Sequence, residues 1–204
     1  METLRELRKR IRLARRQVSA TDRELWSQRI GAKFEAMKSF QAADRVAGFL
    51  AFDGEADPLR LMIAACESGK SVYVPTIVAK GQPLMFKAWS TDAEMEPNQF
   101  GILEPKVPRS EWLGPRDLDF VITPLVGFNE YCHRIGVGGG FYDRTFAFLN
   151  APREPELPAG MKDRHPQLVG FAFGIQRVDS IAAAPWDVPL DAVVTEDDVF
   201  VRDA

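Results

Sequence analysis

A chain of 204 residues is long enough to bury one good-sized core in a single domain, and its composition, 46% hydrophobic and 27% charged with no long biased tract, is that of a globular protein. The formal net charge of −3 argues against binding nucleic acid or other polyanions by bulk charge, and the two cysteines, Cys66 and Cys132, suggest neither a disulfide framework nor a zinc site. No apolar run approaches the roughly 18 residues needed to cross a bilayer and no apolar stretch follows the basic N-terminus, so a cytoplasmic protein that spans no membrane is expected.

Thr3 and Glu6 form a capping-box pattern ahead of a predicted helix in which Leu4, Leu7, Ile11, Ala14 and Val18 share one face. Arg5, Arg8, Lys9, Arg12, Arg15 and Arg16 fall on the opposite, solvated face; the first sixteen residues hold seven Lys/Arg against two Glu. Thr21 with Glu24 predicts the start of a second helix marked by Trp26, Ile30, Phe34 and Met37. Residues 45–52 read as one buried strand, and Asp57-Pro58 opens a helix that runs through Cys66 and closes at Gly69. Further strands are predicted at 71–75, 84–89 and 119–124, the last running into a Gly-rich loop, with a short helix at 141–149 after it. Strands at 168–174, 191–195 and 199–202 complete the set, and 151–166, with four prolines, reads as an exposed loop. Strands alternate with helices and are continuously apolar. The expected fold is therefore a single three-layer α/β domain over 1–204, with a mostly parallel sheet and helices on both faces.

The densest chemical signal is the stretch Arg134, Ile135, Gly136, Val137, Gly138, Gly139, Gly140, Phe141, Tyr142, Asp143, Arg144. Glycines between a strand and a helix let the backbone approach a phosphate, at the strand ends where parallel sheets collect ligands. The stretch lacks the Gly-Lys-Ser/Thr ending of a Walker loop, and Phe141 stands where the dinucleotide fingerprint asks for Gly or Ala. As bare composition a tight turn explains it equally well. The flanking charges sharpen it: Arg134 on one side and the Asp143-Arg144 pair on the other suit phosphate and a divalent cation.

This loop closely resembles the nucleotide and folate loop of the 5-formyltetrahydrofolate cyclo-ligase (methenyltetrahydrofolate synthetase) family, with Ile135 for a usual Leu and Phe141 for a usual Tyr. The resemblance continues through Leu7-Arg8 and Ser19 in the basic helix, where Leu4 stands in place of a leading Lys, and through residues 50–55 after the first strand. It also covers 101–105 (Gly-Ile-Leu-Glu-Pro) and the C-terminal pattern over 168–191.

The resemblance implies ATP-dependent cyclisation of 5-formyltetrahydrofolate to 5,10-methenyltetrahydrofolate, with ATP as co-substrate and Mg²⁺ as cofactor. It implies ATP binding by Arg5, Arg8 and residues 134–142, and folate binding by Leu50, Glu55, Val137, Gly138, Gly139, Gly140 and Phe141. Asp143 and Asp187 are the implied metal ligands, with Asp191 as the rival to Asp187. No covalent nucleophile is expected. Bland readings stand beside these: a solvated helix face for Arg5 and Arg8, a turn cap for Asp187, an exposed turn for Glu55, core packing for Tyr142, and surface roles for His133 and His165. The expected partners are small molecules, with no nucleic acid and no membrane; a monomer is expected, with a dimer open. The competing class is a non-catalytic α/β module that binds a phosphorylated ligand.

Overall fold

The capping box at the amino terminus forms as its residue types require: Glu6 N–H reaches the Thr3 hydroxyl at 3.3 Å, and Thr3 N–H reaches the Glu6 carboxylate at 2.8 Å. Helix α1 (Leu4–Arg16) follows. In this computed structural model, which describes residues 2–98, 103–151 and 165–203, helix α2 (Ala20–Glu35) begins earlier than its sequence signal suggests. Its cap is Ser19, not Thr21: the Ser19 hydroxyl accepts from Asp22 N–H at 3.0 Å and donates to the Asp22 carboxylate at 2.7 Å. A short helix α3 (Lys38–Ala42), too brief for periodicity to reveal, leads into β1 (Arg45–Ala47).

The apolar run at 45–52 is thus only partly a strand. The Gly48 amide still bonds Tyr73 O at 2.8 Å, but the chain then leaves the sheet for a turn in which Asp53 and Gly54 have φ of 53° and 75°. Helix α4 (Leu59–Glu67) starts where the Asp57 carboxylate accepts from Leu59 N–H at 3.0 Å, and Gly69, at φ 86°, ends that segment. Strands β2 (Ser71–Thr76) and β3 (Met85–Trp89) follow, then a small ribbon of β4 (Met95–Pro97) with β5 (Leu103–Pro105). Gly101 and Ile102 of the family-like stretch lie outside the described residues, as do 152–164 of the predicted exposed loop.

After β6 (Phe120–Thr123) the chain does not run straight into the Gly-rich loop. A hairpin of β7 (Gly127–Phe128) and β8 (Arg134–Ile135) intervenes, so Arg134 and Ile135 are themselves strand residues. Helix α5 (Phe141–Phe146) continues as a 3₁₀ turn (Ala147–Asn150), and β9 (Gln167–Phe171), β10 (Ala192–Val194) and β11 (Val199–Val201) close the fold.

The central sheet has the order β11-β10-β9-β6-β1-β2-β3; its five inner strands are parallel and only the two edge strands run against them. Alternation along β6 explains the layering. Phe120 and Ile122 join Ile30, Phe34, Phe40, Leu61 and Met62 of α2, α3 and α4 on one face, while Val121 joins Phe128 of the hairpin and Phe146 of α5 on the other. The Phe34 ring centroid lies 5.9 Å from that of Phe120 and 5.3 Å from that of Phe171, and burial of each such ring stabilises by roughly 1.5–3 kcal/mol.

Strand order also locates the opening. From β1 the chain goes to β2 on one side and then returns to place β6 on the other. The carboxyl ends of β1 and β6 are therefore a topological switch point, where open parallel sheets bind ligands. Helix α1 lies over that edge, with Ile11 packed against Val126 and Ile135.

Candidate active site at the switch point

Two loops meet at this edge, residues 48–58 after β1 and 124–140 after β6. In the first, Leu50 is half-buried against the core and Glu55 is 5% exposed. Three arginines of α1 hold the intervening turn. Arg12 Nε lies 2.7 Å and Arg15 Nη2 3.4 Å from the Asp53 carboxylate, and Arg16 bonds its other oxygen. Burial pushes the Asp53 carboxyl up, but Arg16 and Arg12 outweigh it and hold the group below the usual range.

Arg15 is the deepest of the three at 1% exposure. It donates to Asp53 O at 3.2 and 3.1 Å and to Leu125 O at 3.3 Å, and its Nη1 stands 3.5 Å from Glu55 Oε1. Glu55 also accepts from Phe52 N–H at 3.3 Å. Burial pushes the Glu55 carboxyl up to about 7, with the Arg15 charge pulling the other way.

In the second loop, Gly138 (φ 104°) and Gly140 (φ 61°) adopt backbone conformations that side chains resist. A β-carbon on Gly139 would meet the Phe141 ring at 2.7 Å, so the ring lies directly on the loop backbone. Arg8 donates from Nε to Gly136 O at 2.8 Å, its guanidinium carbon 3.7 Å from where a Gly138 β-carbon would be. Arg144 donates to Gly139 O at 2.5 Å and covers the Phe141 ring, 5.4 Å from its centroid. Val137 and Arg5 are exposed, and Arg5 makes no ion pair among the described residues. Arg8 and Glu55 are thus gathered at the edge, whereas Arg5 stands off in solvent.

Arg134 turns inward. Its guanidinium bonds Asp143 Oδ1 at 2.6 Å and also Val188 O, and Val188 N–H donates to the same Asp143 oxygen at 3.2 Å. Burial lowers the Arg134 pKa; Asp143, Tyr142 and Asp187 oppose it. Tyr142 is half-buried with Arg134 6.0 Å from its ring centroid, and burial, reinforced by Glu55, holds its hydroxyl protonated far above the ordinary range. Asp187 Oδ2 accepts from Ala184 N–H at 2.9 Å, a turn cap, while Asp191 accepts from Leu168 N–H at 2.8 Å and pairs with Arg202 at 3.2 Å.

Among the described residues no three His, Cys, Asp or Glu side chains converge as a metal cage. Among the described residues, Asp143 and Asp187 each bond through one carboxylate oxygen. That donor set suits Mg²⁺, which keeps several waters and takes phosphate oxygens beside one or two carboxylates.

Residues 1–196 match the 5-formyltetrahydrofolate cyclo-ligase family. The chain belongs to that family. It is 34% identical over 192 residues to the 5-formyltetrahydrofolate cyclo-ligase of Escherichia coli K12, covering 93% of this chain and 98% of that one. The Haemophilus influenzae cyclo-ligase is 32% identical over 186 residues, covering 91% and 93% of the two chains. The NMR structure of Aquifex aeolicus 5,10-methenyltetrahydrofolate synthetase superimposes with a TM-score of 0.79 at 26% identity, over 98% of this chain and 94% of that one. The chain is accordingly an enzyme, a ligase of the cyclo-ligase family.

The family match includes Glu104, which sequence reasoning left without a role. It is buried, accepting from Thr76 Oγ1 at 2.6 Å and Asn98 Nδ2 at 2.7 Å and pairing with Lys87 at 3.1 Å. Arg15 and Asp53 were also missed as site residues. The available signal was spacing: Arg15 lies four residues after Ile11 and so falls on the flank of the buried face.

Proposed function

We propose that this chain converts 5-formyltetrahydrofolate to 5,10-methenyltetrahydrofolate, the two folates that the names of its relatives carry, and that it does so at the expense of ATP. What carries the reading for these residues is the meeting of the Glu55 loop and the Gly-rich loop at the switch point, both attached to α1.

The chemical obstacle is a formamide oxygen, a poor leaving group. The formyl oxygen attacks the γ-phosphorus and ADP departs, leaving an imidate phosphate. Folate N10 then attacks the formyl carbon, loses its proton, and expels inorganic phosphate as the ring closes. The protein's part is alignment and charge neutralisation. Backbone N–H groups of residues 136–140 cradle phosphate, with Arg8 and, from the basic helix, Arg5 supplying positive charge. Arg134 fixes Asp143. Phe141 and Leu50 pack against the flat pterin, and Glu55 accepts hydrogen bonds from it. Asp143 and Asp187 hold Mg²⁺, which supplies charge neutralisation at the phosphates when bound. The enzyme is taken as a cytoplasmic monomer that binds no nucleic acid.

The test is to mix the protein with 5-formyltetrahydrofolate and Mg-ATP and follow the methenyl chromophore by absorbance. The expected result is chromophore that depends on both substrates. ATP binding with no chromophore would instead support a non-catalytic phospho-ligand module.

A further inference from the structure

Arg15 has a task that its position on a basic helix conceals. It is the one α1 arginine withdrawn almost completely from water, at 1% exposure, and it reaches both loops at once. Nε and Nη2 donate to Asp53 O in the first loop, Nη1 donates to Leu125 O after β6, and Nη1 also stands 3.5 Å from Glu55. Burying a guanidinium costs several kcal/mol unless its charge is matched. Two backbone carbonyls satisfy its donors but need no full charge. The carboxylates of Glu55 and Asp53 do.

Glu55 needs the match more than Asp53. Asp53 has Arg12 and Arg16 as well, whereas among the described residues its own loop gives Glu55 a single neutral N–H, from Phe52 at 3.3 Å. The groups that face Glu55 are Arg15 and Arg12 from α1, Asp53 from its own loop, and the Tyr142 hydroxyl from α5. The two arginines favour its carboxylate and Asp53 opposes it. A glutamic acid in place of a glutamate would put a donor where pterin N–H groups require an acceptor.

The geometry points to Arg15 as a positioning residue for the folate: a fixed guanidinium at the switch point that holds Glu55 ionised and aimed while touching neither substrate itself. The fork is anchored at Asp53 O and Leu125 O, so its plane cannot rotate freely, and lysine could reproduce the charge but not the anchoring. The inference rests on the reading of Glu55 as a folate contact and adds how Glu55 is kept competent.

The experiment compares steady-state kinetics of Arg15→Met, Arg15→Lys, Glu55→Gln and the Arg15→Met/Glu55→Gln pair, with KM measured separately for each substrate and kcat/KM for 5-formyltetrahydrofolate followed against pH. Arg15→Met is expected to raise the folate KM about tenfold or more, to leave the ATP KM within about twofold, and to move the acid limb of the profile upward by about one pH unit. In the Glu55→Gln background the same change should add less than about twofold, because both act on one group. Equal rises in both KM values, an unmoved acid limb, or fully multiplying effects would overturn the proposal, since a merely structural arginine behaves that way. Should Arg15→Met not fold, Arg15→Lys decides: a folate KM raised about threefold or more with the acid limb kept supports the proposal. An unchanged folate KM, or both KM values rising together, overturns it. A parental folate KM and pH profile in Glu55→Gln would remove the folate reading of Glu55 and this inference with it. Impairment in Glu55→Gln with a silent Arg15→Met removes only the role of Arg15.

Discussion

Glu55 sits where water cannot solvate its charge, and Arg15 offsets only part of that cost. Its folded pKa of about 7 lies above the ordinary 4.5, so the native state binds the proton more tightly than the unfolded chain does. The contribution of Glu55 to stability is therefore fully present below about 4.5 and is lost as pH rises towards 7, by roughly 3 kcal/mol at most. Glutamine carries no proton to lose. Relative to the parent, Glu55→Gln should gain stability steadily from pH 4.5 to about 7 and then level off. Urea midpoints taken across that range would show it, and a difference independent of pH would mean that Glu55 is ionised throughout. The same residue was legible in the sequence only through its family setting, because Asp-Gly-Glu after a strand looks like an exposed turn. Its burial is created by α1, which closes over the loop.

Helix α1 shows which features local pattern reveals and which it hides. Its start and capping box could be read directly, since both depend on residues three or four apart, although the apolar spacing runs on to Val18 and the helix ends at Arg16. Its docking could not, because the Asp53 that collects Arg12, Arg15 and Arg16 lies 37 to 41 residues away. The same logic covers β1, whose apolar run continues past Ala47 into a turn, and the β7–β8 hairpin, whose two-residue strands are too short for alternation. It also covers Arg134, whose inward pairing with Asp143 reads in sequence as two flanking charges around a loop. Asp53 gives the docking a measurable cost. It holds φ 53°, a conformation Asp tolerates better than alanine, and its carboxylate is the convergence point of three guanidinium groups. Asp53→Ala should destabilise by about 2–4 kcal/mol, the lower end reflecting the partial exposure of Arg12 and Arg16. Asp53→Gly should recover about 1 kcal/mol of that by accepting the positive φ. Urea unfolding with unchanged m-values would measure both, and equal losses would show that the turn is not held in the left-handed region.

Across the whole molecule, the sheet supplies the switch point and α1 joins its two sides. A helix of 13 residues is about 20 Å long and moves as one body. Near its start Arg8 is bonded to Gly136 O in the Gly-rich loop, Ile11 packs against Ile135, and from Arg12 onward its arginines hold the Asp53 turn. On the proposed function, a nucleotide that orders the Gly-rich loop would therefore also fix the helix on which the Glu55 loop depends. A folate bound at Glu55 would do the reverse. Ordering the shared helix once lowers the cost for whichever ligand binds second, so the two sites should be positively coupled. The typical range for such coupling is about 1–3 kcal/mol, and a non-hydrolysable ATP analogue should tighten 5-formyltetrahydrofolate binding by about fivefold or more. Linkage requires folate to tighten the analogue by the same factor, so calorimetric titrations in both orders give an internal check. Asp53→Ala removes the carboxylate shared by Arg12, Arg15 and Arg16, which loosens the helix from the first loop although Arg15 keeps its bonds to Asp53 O, and should bring the factor below about twofold. Independent binding in the parent, or coupling that survives Asp53→Ala, would mean that the loops communicate by another route than α1.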